Sequence, residues 1–116
     1  MPSVLLLGLD PRLAPGMDAD AVLALIDTDM ARLREHGANT STVLLPLDES
    51  TEPTIVGTLA ERAWDVVVIG GGIRKPEQLL TFFEKVVNLI RQHAPQAAIA
   101  FNTSPGDSSE AAQRWL

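Results

Sequence analysis

Asp65-Val66-Val67-Val68-Ile69-Gly70-Gly71-Gly72-Ile73-Arg74-Lys75 is the stretch that decides the fold. Four successive β-branched residues with no polar alternation read as a strand buried on both faces. Such strands occur in parallel sheets covered by helices on either side. The three glycines then end the strand, and the segment from about Lys75 to His93 has a helical period. Leu79, Leu80, Phe83, Val86, Val87 and Ile90 recur in it at steps of three and four.

The same alternation of short apolar runs and helical periods extends in both directions. Further strands are predicted over Ser3–Leu9, Thr42–Leu47 and Ala97–Asn102, with the central one over Asp65–Ile69. A helix is expected from about Asp18 to Glu35, with Val22, Leu25, Ile26, Met30 and Leu33 on one stripe. Asp18 and Asp20 suit its positive end, and Gly37 stops it. A weaker helix follows Ser50-Thr51, with Pro53 in its first turn, Gly57 as a weak point and Ile55, Leu59 and Ala63 facing inward. Asp107 with Glu110 resembles a capping box that opens a last helix, whose Ala111, Ala112 and Trp115 face the core.

Strand and helix alternating four times imply an α/β fold, an open parallel four-stranded sheet with right-handed crossovers and helices on both faces. Two strand orders satisfy this pattern, 2-1-3-4 as in flavodoxin-like folds and 3-2-1-4 as in a dinucleotide-binding half. Pro46 favours 2-1-3-4. Proline cannot donate to a ladder and belongs at an edge or a strand end, whereas the Val66 strand belongs inside.

The 116 residues amount to one domain, 1–116, and with 46% apolar and 21% charged residues the chain can bury a core. Nine Lys and Arg against fifteen Asp and Glu give a net charge of −6. With no basic face, this argues against nucleic acid as a partner. There is no cysteine, hence no thiolate chemistry and no disulfide framework. The opening Met1-Pro2-Ser3-Val4-Leu5-Leu6-Leu7-Gly8 lacks a basic region and meets Asp10 early, and no stretch has the length of a membrane span. A cytoplasmic protein without a membrane partner is therefore expected.

In order 2-1-3-4 a ligand belongs beyond the strand ends between the first and third strands. Gly71 and Gly72 are candidates to hold an anion through backbone N–H groups, with Arg74 and Lys75 adding charge. A plain strand-to-helix turn accounts for the same glycines. Asn102, Thr103 and Ser104 are candidates to orient a polar ligand, although turn bonding explains such residues equally well. Asp10 is the candidate catalytic acid/base, able also to bind Mg²⁺ through water, to pair with Arg74, or simply to open a turn before Pro11. His36 and His93 sit at helix C-termini and read as caps. No metal-ligand spacing, no Ser-His-Asp triad and neither nucleotide-loop fingerprint is present, so no cofactor is assigned. Phe82, Val86 and Leu89 widen the apolar arc of the third helix, which suggests a homodimer through that helix or cover by the Trp115-Leu116 end of the chain.

Gly71-Gly72-Ile73-Arg74-Lys75 through Phe83-Glu84, His93-Ala94-Pro95-Gln96-Ala97, Phe101-Asn102-Thr103-Ser104-Pro105 and Gln113-Arg114-Trp115 resemble a family of small Rossmann-like or flavodoxin-like α/β proteins of bacteria and fungi that has no assigned activity. The resemblance is close over the C-terminal half and looser elsewhere. It implies the fold and a site at the strand ends, with Arg74, Asn102, Thr103, Ser104 and Arg114 as its recurring polar residues. Val66 to Ile73 is also similar to a segment of cobalamin-binding domains, but their Asp-x-His-x-x-Gly motif is missing. Receiver domains share a carboxylate after the first strand, yet glycines stand where their phosphoacceptor would be. The sequence reading is a protein that binds a small anionic or phosphorylated ligand, with proton-transfer or hydrolytic chemistry open. Its rival is a non-catalytic dimeric interaction module.

Overall fold

A computed structural model describes all residues from Met1 to Leu116. Four parallel strands, β1 (Ser3–Leu9), β2 (Asn39–Leu45), β3 (Val66–Ile69) and β4 (Ala98–Phe101), form one sheet in the order β2-β1-β3-β4. Five helices accompany them: α1 (Ala19–Glu35), α2 (Thr51–Ala60), the single turn α3 (Gly71–Arg74), α4 (Leu80–His93) and α5 (Ser108–Gln113). The architecture is the expected one, with the Val66 strand inside and Pro46 just past the end of an edge strand.

Alternation along the inner strands divides the core in two. Leu5 and Leu7 of β1 and Val67 and Ile69 of β3 face a cluster with Ile55, Leu59, Trp64 and Ile90, on the side of α2 and α4. Val4, Leu6, Val66 and Val68 face the other way, toward Ile26, Met30 and Leu33 of α1 and Ala111 and Ala112 of α5. Every residue of β3 is buried, which removes apolar area from water on both faces at about 25 cal/mol per Å². None of the helices is long and apolar enough to cross a membrane.

Several local expectations shift, each for an identifiable reason. β2 starts at Asn39 rather than Thr42, because seven-residue β1 pairs with it from Ser3↔Asn39 to Leu9↔Leu45 and its backbone recruits the polar Asn39-Thr40-Ser41. The helix expected from Lys75 is interrupted. Pro76 adopts an extended ψ of 124°, a 3₁₀ turn follows over Glu77–Leu79, and α4 begins only at Leu80. Leu25 and Leu80 are exposed rather than inward. Ala63 lies beyond the end of α2 and is exposed, and Trp64, whose Nε1 donates to the Thr58 carbonyl at 3.0 Å, fills the core there. Trp115 is 59% exposed because α5 stops at Gln113, before a further turn could bring it inward. On α4, Val86 and Leu89 are buried and Phe82 is half-buried against the α2-side core.

Candidate functional site

Because β1 leads outward to β2 and the chain then crosses back to β3, the loops after β1 and β3 diverge and leave a crevice beyond the strand ends. A cleft of about 850 Å³ occupies it, within the range of small-molecule sites. Its walls are mainly apolar. Leu9, Leu13 and Met17 come from the end of β1 and the loop after it, Leu44 and Leu47 from the end of β2, and Leu79 from the turn before α4. Polar groups converge on one side, where Lys75, Gln78, Asn102, Thr103 and Ser104 line it.

Gly70, Gly71 and Gly72 open one wall, but not by left-handed backbone. Only Gly16, Gly37 and Leu47 have positive φ, and Gly71 and Gly72 are the first residues of the helical turn α3. Their smallness is what matters. A Cβ on Gly70 would stand 3.3 Å from the Leu7 carbonyl oxygen, and one on Gly71 3.2 Å from Cε of Lys75. Gly71 thus lets the Lys75 side chain fold across it, so that Nζ donates to the Thr103 carbonyl at 2.8 Å. The ammonium forms no ion pair with any carboxylate of the chain and keeps two further N–H donors.

Arg74 points elsewhere. Its Nε donates to the Ile69 carbonyl at 2.8 Å, and its Nη2 to Asn102, at Oδ1 (3.0 Å) and at the backbone carbonyl. The guanidinium also lies 5.1 Å from the Phe101 ring centroid. Burial lowers its pKa, with Asp107 opposing that shift, and an arginine remains charged regardless. Arg74 is therefore a clamp between the ends of β3 and β4 and does not line the cleft. Asn102 is the hub of the same network. Buried, it accepts from the Gly71 amide at 3.1 Å and donates through Nδ2 to Ser108 Oγ at 3.0 Å. Three residues expected to hold a ligand, Gly71, Arg74 and Asn102, thus satisfy one another.

Thr103 and Ser104 remain at the cleft. Both backbone amides donate to Asp107 Oδ1, at 2.8 and 3.0 Å, and the Thr103 hydroxyl donates to Oδ2. Burial pushes the Asp107 pKa up, but these hydrogen bonds outweigh it and hold the carboxyl below its ordinary value. Asp107 consequently turns back into the loop, and its side chain makes no cap on α5. That part falls to Asp29 of α1, whose Oδ2 accepts from the Ser109 amide at 2.9 Å while Oδ1 has no hydrogen-bond partner. Ser104 Oγ accepts from Gly106 N at 3.2 Å and retains its own proton for a ligand.

Asp10 is at the cleft but pairs with Arg12, not Arg74. Arg12 Nε and Nη2 donate to its two oxygens at 2.9 and 2.8 Å, and the Arg12 amide to Oδ1 at 3.0 Å, so Asp10 caps the 3₁₀ turn over Pro11–Leu13. The Arg12 side chain, first among these, holds the carboxyl below its ordinary pKa, which makes it a weak proton acceptor near neutrality. No group of three or more His, Cys, Asp and Glu residues is placed to hold a metal ion.

Fold and site define a three-layer α/β protein of flavodoxin-like strand order with an apolar cleft at its switch point. No family model and no curated protein matches the chain. Among solved structures it is similar to one titled "putative lipoprotein" from Peptoclostridium difficile 630, a fragment, at 15% identity and a TM-score of 0.57, over 98% of this chain and 95% of that one. At that identity the likeness shows a shared fold and nothing of function.

The residues that sequence reasoning missed are the apolar ones. Leu13 and Met17 stand outside every helical or strand period, in a segment rich in Pro, Gly and Asp, and Leu47, expected to end the second strand, lies two residues past the end of β2. A large apolar side chain stranded in turn chemistry is the signal that could have found the first two.

Proposed function

We propose that the protein binds a small organic molecule with a largely apolar body and one anionic or strongly accepting group in the cleft at the strand ends. The observation that carries this reading is an apolar cleft of about 850 Å³ with a single unpaired cation, Lys75, on its wall. Apolar walls supply affinity, and a few convergent donors set orientation. Lys75 takes the part that sequence reasoning gave to Arg74, with the Ser104 hydroxyl and the Gln78 amide also lining the cleft. Binding, rather than proton transfer by Asp10, is the reading that the Arg12 pair supports.

Membership of the family of small bacterial and fungal α/β proteins that the C-terminal half resembles belongs to the same reading, as does cytoplasmic residence, which fractionation of cells carrying the tagged protein tests.

The binding test is thermal unfolding with octanoate, octyl phosphate and octanol, because a ligand that binds only the native state raises its stability by about 2.7 kcal/mol at a hundredfold excess over Kd. Wild-type protein is expected to shift with the two anions most. Lys75→Ala removes the preference for anions over octanol. Gly72→Leu, whose Cβ would already touch Leu9 at 3.6 Å, fills the cleft and removes every shift. Shifts that persist unchanged in Gly72→Leu place the ligands elsewhere and overturn the reading.

A further inference from the structure

The mouth of the cleft carries exposed apolar side chains. Leu13 is 49% exposed, Met17 51% and Leu47 40%, and they reach the mouth from two loops, after β1 and after β2. Leu47 holds this position with a φ of 58°, a left-handed conformation that favours glycine or asparagine over leucine. A strained backbone that presents a large apolar side chain to solvent is a pattern found at binding sites. Contiguous exposed apolar groups with a polar rim are likewise the anatomy of an interface core.

The rim identifies the partner by charge. Residues 10–20, 48–52, 70–79 and 103–110, the segments that follow the four strands, contain nine acids and three bases, a net −6. The rest of the chain contains six of each, so the whole net charge lies at the end where the cleft opens. Helix dipoles account for Asp18, Asp20 and Glu52, which sit at the N-termini of α1 and α2. Glu52 is also paired with Lys85, whereas Glu77, in the 3₁₀ turn before α4, and Glu49 form no ion pair within the chain. A single small anion in contact with Lys75 is dominated by that ammonium, since the more distant acids are screened over about 8 Å at physiological salt. A polypeptide lying across the mouth passes the segments that carry Glu49 and Glu77, which lie close in the chain to the lining residues Leu47, Pro76 and Gln78.

We infer that the mouth of the cleft is a docking surface for a basic polypeptide segment that sets an apolar side chain among Leu13, Met17 and Leu47. The surface shares these three side chains with the small-molecule cleft. The peptide test distinguishes the two readings, because it asks for a preference for basic over acidic partners where the small-molecule reading expects a preference for anions.

The test uses a peptide Lys-Lys-Leu-Trp-Leu-Lys-Lys, the same peptide with its centre changed to Ser-Ser-Ser, and the acidic counterpart Glu-Glu-Leu-Trp-Leu-Glu-Glu, each titrated into ¹⁵N-labelled protein. The basic apolar peptide is expected to move amides of residues 10–17 and 46–50, and to bind at least tenfold more tightly than either other peptide, with affinity falling steeply as salt rises. Leu47→Gly, which relieves the positive φ and therefore leaves the fold intact, is expected to weaken it about tenfold. The double variant Glu49→Gln/Glu77→Gln is expected to flatten the salt dependence. Shifts spread over the whole surface, equal binding of the Ser-centred or acidic peptide, or an unchanged Leu47→Gly would each overturn the inference.

Discussion

Arg74→Ala separates the two parts that the residue could play. The guanidinium makes three hydrogen bonds from two nitrogens to Ile69 and Asn102, and lies over Phe101. Hydrogen bonds from charged donors contribute about 1.5–3 kcal/mol each. Because Arg74 is only partly buried we take the low end for each nitrogen, which gives about 3 kcal/mol, with the ring contact adding roughly 0.5 kcal/mol. Against a total stability of order 6–17 kcal/mol for a chain of this size, that is a severe loss. At an m-value near 1.5 kcal/mol/M the urea midpoint should fall by about 2 M, and the thermal midpoint by roughly 10–15 °C. The assay is urea unfolding followed by far-UV circular dichroism and by tryptophan fluorescence, in which the change comes mainly from the fully buried Trp64, since Trp115 is already exposed in the native state. Arg74→Lys keeps the charge but cannot donate in two directions, and is expected to fall between. At a temperature where Arg74→Ala is still folded, the octanoate shift should survive. A midpoint within 0.3 kcal/mol of wild type, at equal m, would falsify the clamp, and a lost octanoate shift in a folded variant would return Arg74 to the ligand.

Further outcomes follow from neighbouring geometry. Gly70→Ala places a Cβ 3.3 Å from a backbone oxygen of β1 that cannot yield cheaply, and should lower stability by about 1–3 kcal/mol in urea unfolding. Gly71→Ala, which meets only the flexible Lys75 chain, should cost less and should weaken octanoate relative to octanol. Asp29→Ala deprives the Ser109 amide of its buried acceptor and is expected to cost about 1–2 kcal/mol. The carboxyls of Asp10, Asp48 and Asp107 all have native pKa values below their ordinary ones. Their contribution to stability is therefore present above the unfolded value of about 3.9 and is lost as pH falls through the native values. Acid unfolding should begin below about pH 4, and Asp107→Asn, which gives up that contribution at every pH, should make the onset shallower.

The fold was legible because burial leaves a periodic trace. Val66 to Ile69 announce a strand covered on both faces, Pro46 announces an edge, and α1 keeps its stripe from Ile26 to Leu33, although Leu25 escapes it. The location of the cleft followed from the strand order, since the crossing of the chain between β1 and β3 is a consequence of topology. Which residues act there was less legible, because loop residues have no period. Asn102, Thr103 and Ser104 read alike in sequence and all line the cleft, yet the first is a buried hub whose side chain is spent on Gly71, Arg74 and Ser108 while the other two are exposed.

The sequence by itself therefore determined the class of fold, the order of the strands and the end of the sheet where the cleft opens, since local propensity and hydrophobic spacing encode all three. Only the tertiary structure decided that Arg74 turns inward to the carbonyls of Ile69 and Asn102 while Lys75, one residue on, reaches the cleft. Two adjacent cations are equivalent in a string of letters. They differ once the turn α3 sends the Arg74 guanidinium to the carbonyls of Ile69 and Asn102 at the strand ends and the Lys75 ammonium to the Thr103 carbonyl on the cleft wall.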